Sequence, residues 1–293
     1  MNVTPRGGGL VFLFLFTLVL VGQIILNQSE VSLILALVFP CLIGLVNVYD
    51  DFKGLGFKLR LSIQLFCISS STFALFHYLE LDFRSATIFT LSFGILAATW
   101  YTNLYNFMDG INLITCFQTI FLILASSQIF SMPPEILKLL YWSLLPASIA
   151  FIFHNKTPAK LFMGDTGSAF IGAFLAIVFV FLSLKDLNNI FPIMILNSLY
   201  WVDTSFVLIK RVLTKQKFTE PHRSHLYQIL SRRFKSHEKI SLLYLCVNIL
   251  WFLPLALSSH ELNNGLLKLS LVLLAAGPVV YFCKRFGAGS QES

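Results

Sequence analysis

Two adjacent carboxylates, Asp50 and Asp51, end a long apolar run in the stretch VNVYDDFKG at residues 46–54. A helix that carries them ends with unpaired carbonyls, so its negative pole lies beside two negative charges. A positive partner must offset this repulsion. Further carboxylates stand at Asp109 in NFMDGIN and at Asp165 in MGDTGS. Carboxylates without aligned thiols are typical ligands of Mg²⁺ or Mn²⁺, so the sequence predicts that the partner is a divalent metal ion.

Basic residues accompany these carboxylates along the chain: Lys53, Lys58, Arg60, Lys156, Lys160 and Arg223. A divalent ion with a basic fringe suits a diphosphate. Gly164 and Gly167 suit a tight turn whose exposed amides also suit a phosphate. Taken alone, Asp165 could equally be an N-cap, and Asp109 could be a turn residue followed by Gly110.

The elements that must position these residues are membrane helices. The 293 residues are 56% hydrophobic and 12% charged, against about 25% charged in soluble domains. Runs near the roughly 20 residues that span a bilayer recur throughout. We read ten, at about 9–27, 31–49, 61–79, 86–105, 111–130, 137–154, 168–184, 188–209, 240–257 and 265–283. The sequence predicts an all-α, polytopic membrane protein of about ten transmembrane helices, a single integral domain over 1–293 without a soluble domain.

The distribution of basic residues predicts the orientation in the membrane. With a cytoplasmic N-terminus, all of the 21 Lys and Arg residues face the cytoplasm except Arg84, Lys138, Lys185 and Lys268. This satisfies the positive-inside rule and places both termini in the cytoplasm. The motif loops at 50–60, 105–112, 155–167 and 210–239 then share the cytoplasmic side. We therefore expect an active site formed by cytoplasmic loops. We expect no nucleic-acid partner.

Other polar residues each allow two interpretations. Asn103 and Asn106 are three residues apart and share a helical face, either as substrate ligands or as interhelical amides. His222 and His225 lack a third ligand at zinc spacing, which favours phosphate contact over a metal. Asp203 lies inside a predicted span, where a carboxylate is costly and is a functional candidate by default. A structural pairing with a neighbouring helix is an equal alternative.

Five stretches together resemble one family: TPRGGG at 4–9, DDFKGLGFKLRLSIQL at 50–65, NLYNFMDGIN at 103–112, NKTPAKLFMGDTGS at 155–168 and PHRSHLYQ at 221–228. In order and topology they are similar to the polyprenyl-phosphate N-acetylhexosamine-1-phosphate transferases, the MraY/WecA-like enzymes that start bacterial envelope glycans. The resemblance covers residues 4 to about 230. It implies a bacterial inner-membrane enzyme that transfers a sugar-1-phosphate from a UDP-N-acetylhexosamine to a polyprenyl phosphate such as undecaprenyl phosphate. UMP is released, and Mg²⁺ or Mn²⁺ is required.

The resemblance also implies roles for individual residues. Asp50 and Asp51 occupy the catalytic aspartate pair; we favour Asp50 for orienting or deprotonating the acceptor and Asp51 for assisting the metal. Asp165 is the main metal ligand. The expected substrate-binding residues are Asn103, Asn106, Asp109, Phe162 (stacked on uracil), His222, Arg223 and His225, of which Arg223 and His225 would contact the donor's diphosphate or sugar.

The chain departs from the family pattern in two places. Leu113 follows DGIN where relatives usually have glycine, which affects how closely the backbone approaches a ligand. The chain begins almost at TPRGGG, so this loop lacks an upstream helix as anchor and is expected to be mobile. The resemblance also indicates a branch of the family. The histidine loop, HRSH at residues 222–225, is not the triple-histidine form of the peptidoglycan branch. It is closer to the branch that initiates O-antigen (lipopolysaccharide) or capsule synthesis, often on amino-deoxy sugars.

Two other classes compete with this interpretation. A UbiA-type membrane prenyltransferase would need two Asp-rich motifs with carboxylates four residues apart, which NVYDDFKG and MGDTGS do not provide. A lipid or solute transporter would need broken spans with charges at mid-depth, and only Asp203 approaches that. The sequence leaves open the amino sugar, the polyprenyl length and the assembly, which includes a homodimer.

Overall fold

The structure is a computed structural model that describes residues 4–26, 30–82, 85–131, 134–216 and 222–290. Within these residues the secondary structure is helical, and the one β-type pairing is an isolated bridge between Arg6 and Phe162. The all-α prediction is therefore confirmed. The packing divides the chain into two units, Met1–Asn106 with Ser131–Leu187 and Phe107–Phe130 with Asn188–Ser293.

The first unit is organised around one buried helix. Its helices are α1 (Gly9–Ile25), α2 (Val31–Lys53), α3 (Phe57–Tyr78), α4 (Ser85–Phe107, ending at the unit boundary), α6 (Glu135–Asn155) and α7 (Gly164–Lys185). The helix α7 is buried along nearly its whole length, because it is apolar on every face. Helices α1, α2 and α3 pack on it, and α2 also packs along α3. The carboxyl end of α2 and the amino end of α7 are thus held by the same core.

The second unit contains two irregular helices. Its elements are α5 (Ile114–Ile129), α8 (Ile190–Leu196), α9 (Ser198–Leu213), α10 (Leu226–Phe234), α11 (His237–Val247), α12 (Leu253–Glu261) and α13 (Gly265–Arg285). A bend of 79° separates the apolar stretch Leu187–Leu196 from α9. A π-helical turn, Asn248–Phe252, joins α11 to α12, and Asn248 Nδ2 donates to Gln118 Oε1 on α5 at 2.7 Å.

The structure contains fewer clear membrane spans than the sequence predicts. In the described part of the chain, six helices are long and apolar enough to cross a membrane: Val31–Lys53, Phe57–Tyr78, Glu135–Asn155, Gly164–Lys185, His237–Glu261 and Gly265–Arg285. The bent pair Leu187–Leu196 and Ser198–Leu213 would make a seventh. The prediction of about ten spans is not confirmed.

Three of the apolar runs, those at 9–27, 86–105 and 111–130, form helices that do not qualify as membrane spans, and each has a physical reason. Helices α1 and α5 have 17 and 16 residues, short of the roughly 20 that a bilayer requires. The apolar run at 111–130 looked longer because Ile111, Asn112 and Leu113 belong to the turn before α5. Helix α4 has 23 residues, but polar side chains interrupt its carboxyl half, among them Thr99, Thr102, Asn103 and Asn106.

Candidate active site

Arg60 joins two of the predicted site carboxylates. Its Nη1 lies 2.9 Å from Asp50 Oδ2 and 3.2 Å from Asp165 Oδ2. Asp50 is in the last turn of α2, Arg60 in the first turn of α3, and Asp165 in the first turn of α7. The Leu55 amide also donates to Asp50 Oδ1. One guanidinium therefore ties three helix ends together.

The ion pair between Arg60 and Asp50 offsets negative charge at the carboxyl end of α2. The sequence alone predicts a metal ion in this role, with Arg60 as one of the surrounding basic residues. The structure provides Arg60 itself. The turn after α2, which passes through Gly54 at φ 68° and ends at Gly56, brings a residue ten positions later back against Asp50.

Asp51 caps the first turn of α7. Its Oδ2 accepts hydrogen bonds from Thr166 Oγ1 at 2.8 Å and from the Thr166 amide at 3.3 Å. Amides in the first turn of a helix have no intrahelical partner, and a negative charge is favourable there. The N-cap position of α7 is Met163, so Asp165 lies inside the helix. The N-cap alternative for Asp165 is wrong, because a carboxylate from α2 caps this turn instead.

The TPRGGG segment has an anchor that the sequence analysis did not foresee. The Phe162 carbonyl accepts from the Gly7 amide at 3.3 Å and from the Gly8 amide at 2.9 Å, and the Phe162 amide donates to Pro5 O at 3.0 Å. At Gly9 a Cβ would collide with the backbone of Gly167. The loop was expected to be mobile because it lacks an upstream helix. The structure instead anchors it downstream in sequence, at Phe162 before α7.

Asn106 and Asn103 have different environments although they share a helix. Asn106 accepts from Ser168 Oγ at 2.7 Å and also hydrogen bonds to Asp165, so it belongs to the carboxylate cluster. The Asn103 amide nitrogen donates to Gln64 Oε1 at 2.9 Å and to Thr99 O at 2.8 Å. Both of its hydrogens are used within the helical core. For Asn103 these contacts favour the interhelical alternative.

Phe162 presents its ring to the surface. The side chain is exposed even though its backbone is fixed by the TPRGGG segment. An aromatic ring held on a rigid backbone offers a flat surface at low entropic cost. The geometry suits stacking on a base, and the uracil contact stays a prediction.

In the second unit, Asp109 and Leu113 shape the start of α5. Asp109 accepts a short hydrogen bond from Thr115 Oγ1 and is half-buried. Leu113 has φ 71° and occupies the N-cap position of α5. This left-handed conformation costs an L-residue roughly 1–2 kcal/mol. Glycine would adopt it freely, which is consistent with the glycine that the family resemblance leads us to expect after DGIN.

Asp203 organises the histidine loop, which we define as residues 222–225. Its fully buried carboxylate accepts from the Leu226 amide at 3.0 Å and from the Tyr227 amide at 3.4 Å. It thus stabilises the amino end of α10, where the amides lack intrahelical partners. Of the two interpretations of Asp203, the structure supports the structural pairing. Sequence spacing gave no sign of it, because 23 residues separate Asp203 from Leu226.

The predicted ligands of the histidine loop differ in exposure. His225 is 2% exposed, and its Nδ1 lies 3.5 Å from Asp203 Oδ1. Arg223 is exposed. His222 is half-buried, with Nδ1 3.1 Å from Ser224 Oγ. Burial lowers the pKa of His222 to about 4, with smaller contributions from His225 and Arg211. A direct substrate contact by His225 gains no support from this burial, whereas Arg223 is free to reach a ligand.

A divalent metal fits the carboxylate cluster only with help from a ligand. Within the described residues, no three His, Cys, Asp or Glu side chains converge as a metal-holding group. Mg²⁺ usually uses one or two carboxylates together with water and substrate phosphates. Asp50, Asp51 and Asp165 also outnumber the guanidinium of Arg60, which leaves net negative charge for a cation. Asp165 and Asp51 are the residues that could hold it.

Comparison with known proteins places the chain in a family. The model of glycosyl transferase family 4 matches residues 31–183, more than half of the chain. The probable undecaprenyl-phosphate N-acetylglucosaminyl 1-phosphate transferase of Bacillus subtilis (strain 168) is 28% identical over 290 residues, covering 93% of this chain and 77% of the relative. The phospho-N-acetylmuramoyl-pentapeptide-transferase of Enterococcus hirae is 29% identical over 227 residues, covering 71% and 68%. The chain is therefore a multi-pass membrane protein that belongs to glycosyl transferase family 4.

Proposed function

We propose that this protein transfers a sugar-1-phosphate from a UDP-N-acetylhexosamine to a polyprenyl phosphate such as undecaprenyl phosphate, releasing UMP. The observation that carries the proposal is the cluster of Asp50, Asp51 and Asp165, which lies within the region that the family model matches. In this cluster Arg60 pairs with Asp50 and Asp165, and Asp51 accepts hydrogen bonds from Thr166. The relatives, an undecaprenyl-phosphate sugar-1-phosphate transferase and a phospho-sugar transferase by name, support the same reaction class.

In the proposed reaction an oxygen of the acceptor phosphate becomes bonded to the phosphorus nearest the sugar. The bond between that phosphorus and the bridging oxygen breaks, and UMP leaves with the electron pair. Such a loose transition state needs positioning and charge stabilisation more than covalent help. The acceptor's second pKa is near 6, so Asp50 need only hold or remove the last proton. Arg60 keeps the Asp50 carboxylate in place.

The metal is proposed to be Mg²⁺ or Mn²⁺, held by Asp165 with help from Asp51. When bound, it would neutralise charge on the donor diphosphate as UMP leaves. Asn106 keeps Asp165 oriented through its hydrogen bond. Asp51 caps the first turn of α7 and so holds the amino end of α7 beside the carboxyl end of α2.

The resemblance assigns the remaining donor contacts. Phe162 stacks on uracil, and Asn106 and Asp109 bind the nucleotide. Arg223 binds the diphosphate, because a guanidinium forks onto phosphate oxygens. We assign His225 to positioning the loop beside Asp203 in place of a direct contact. The site faces the cytoplasm in this proposal, with both termini on the same side, as the distribution of Lys and Arg predicts.

The structure contains a broken span, which favours the transporter alternative, but the environment of Asp203 does not favour it. The 79° bend before α9 provides a broken span, which that class requires. Asp203, however, is engaged by the amides of Leu226 and Tyr227 and is fully buried, so it is not a charge poised for transport. The family match gives no support to the prenyltransferase alternative.

A reconstituted assay tests the proposed function. Purified protein receives undecaprenyl phosphate, Mg²⁺ and one UDP-sugar at a time, beginning with UDP-N-acetylglucosamine and continuing with UDP-amino-deoxy sugars of the O-antigen and capsule type. We expect UMP release that depends on the lipid, and exchange of labelled UMP into the same UDP-sugar. The Asp165→Asn protein is the matched control. Lipid-dependent UMP release with none of the donors would refute the proposal.

A further inference from the structure

The residues after α13 form a compact strap over the second unit. We define the C-terminal strap as residues 286–290, which follow the end of α13 at Arg285. It turns through Gly287 at φ 73° and Gly289 at φ 74°, conformations that glycine adopts without strain. Ala288 is fully buried. The strap is thus packed into the unit.

The strap is fastened to the end of α9 by side-chain hydrogen bonds. Lys210 Nζ donates to Ala288 O and to Ser290 Oγ, each at 2.9 Å. Gln216 Nε2 donates to Gly289 O at 3.3 Å. A Cβ on Gly289 would lie 3.2 Å from both Lys210 Cβ and Val207 O. A side chain at Gly289 would be strained by the φ of 74° and would require the strap or α9 to shift by a few tenths of an ångström.

The same strap holds the histidine loop. The Gly289 amide donates to Ser224 O at 2.9 Å. Ser224 is 3% exposed, and it lies next in sequence to Arg223, which is exposed. The guanidinium of Arg233 on α10 also lies over the Phe286 ring, 5.3 Å from its centroid. The strap therefore contacts Ser224, just before the amino end of α10, and Arg233, in the last turn of the same helix.

We propose that the C-terminal strap is a positioning element for the histidine loop, and that Lys210 is a positioning residue which sets the affinity for the donor through the strap. The inference rests on the proposed function in one respect, namely that Arg223 binds the donor. A loop ordered before binding does not have to be ordered by the ligand, so pre-ordering increases affinity. Loosening the strap should therefore weaken donor binding and leave the carboxylate chemistry of the first unit unchanged.

The test compares three substitutions in the full-length protein. Lys210→Met removes the two hydrogen bonds that Lys210 donates to the strap and leaves that of Gln216, and Lys210→Arg keeps a charged donor at this position. Lys284→Met changes an exposed lysine in the last turn of α13 and serves as the matched control. Gly289→Val is a second way to displace the strap, because it combines an unfavourable φ with the close contacts at Val207 and Lys210.

Two readouts are taken on protein that remains monodisperse: hydrogen exchange of peptides covering 222–230, and KM and kcat for the UDP-sugar. For Lys210→Met and Gly289→Val we expect exchange at least tenfold faster in these peptides. We expect KM for the donor to rise fivefold or more, with kcat within twofold. Lys284→Met should match the wild type, and Lys210→Arg should recover most of the protection.

Each contrary result has a definite meaning. Unchanged exchange in both strap variants would show that the strap does not order the loop. Faster exchange with an unchanged KM would show that the ordered loop does not set donor affinity. If the wild-type protein releases UMP from no donor, the proposed function fails, and the exchange measurement still decides whether the strap holds the loop.

Discussion

Replacing Arg60 with Met is the sharpest test of the carboxylate cluster, because one guanidinium serves both Asp50 and Asp165. The substitution keeps much of the apolar length of the side chain and removes the charge. Two consequences follow with opposite signs. Asp50 loses the group that holds it, so turnover should fall. The cluster becomes more negative, so a divalent cation should bind more tightly.

The magnitude follows from how far each pair is exposed. The side chain of Asp50 is 9% exposed and that of Arg60 is 20%, whereas that of Asp165 is 40%. Losing one partner of a buried pair costs about 3–5 kcal/mol, and an exposed pair contributes about 0–1 kcal/mol. The Asp50 pair lies between these limits, at about 2 kcal/mol. If the misplacement of Asp50 appears fully in the barrier, turnover falls about 30-fold on the scale of tenfold per 1.36 kcal/mol.

The assay is UMP release at saturating donor and acceptor while Mg²⁺ is titrated. Arg60→Lys should restore part of the turnover, because it keeps the charge and loses the planar fork. Lys58→Met, an exposed neighbour two residues earlier, is the control and should leave turnover within about twofold. An Arg60→Met protein with near-normal turnover, or one that needs more Mg²⁺ than the wild type, would refute the reasoning.

Four further predictions concern the metal ligand, the aspartate pair, His222 and the orientation in the membrane. Asp165→Asn should raise the Mg²⁺ concentration needed for half-maximal UMP release, and an unchanged requirement would remove Asp165 from the metal site. Asp50→Asn and Asp51→Asn should each lower turnover by orders of magnitude, with at least one variant still binding UDP-sugar in calorimetry; near-normal turnover in both would exclude the pair from the chemistry. Because the folded pKa of His222 is about 4 against an ordinary 6.5, the unfolded chain binds the proton first. Thermal stability should thus fall between pH 6.5 and pH 4, and His222→Gln should flatten that dependence. A cysteine at Lys156, in an external loop only if the orientation is inverted, should resist an impermeant reagent in intact cells.

The all-α architecture and the gathering of the carboxylates could be predicted from the sequence. Apolar runs of near-membrane length require helices, because unsatisfied backbone groups are costly in lipid. The motif residues Asp50 and Asp165 stand at the ends of such runs, so helices that share a core bring them together. The number of spans could not be predicted as well, because hydropathy does not show where a helix begins. The turn that delays α5 until Ile114 is one example.

The ion-pair and hydrogen-bond partners of the site residues could not be predicted from the sequence, for a different reason. Arg60 meets Asp50 only because the turn through Gly54 reverses the chain, and it meets Asp165 only because α7 packs on α2 and α3. Asp203 caps a helix that begins 23 residues later. Each contact depends on packing between distant segments, and charge patterns along the chain do not encode it. Asn103 and Asn106 also differ because of such packing: Asn103 contacts Gln64 on α3, whereas Asn106 contacts Ser168 on α7.

The place of the C-terminal strap in the chain has a consequence for biosynthesis. Synthesis runs from the amino end at about 5–20 residues per second, so Gly289 is made roughly 3–13 s after Ser224, the residue that it holds. During that interval Asp203 is already present to cap α10, but the hydrogen bond from the Gly289 amide to Ser224 O cannot yet form. A nascent chain inserted in the membrane would thus carry a partly ordered loop until residues 286–290 have been translated, and the donor affinity that we propose to depend on the strap would appear only then.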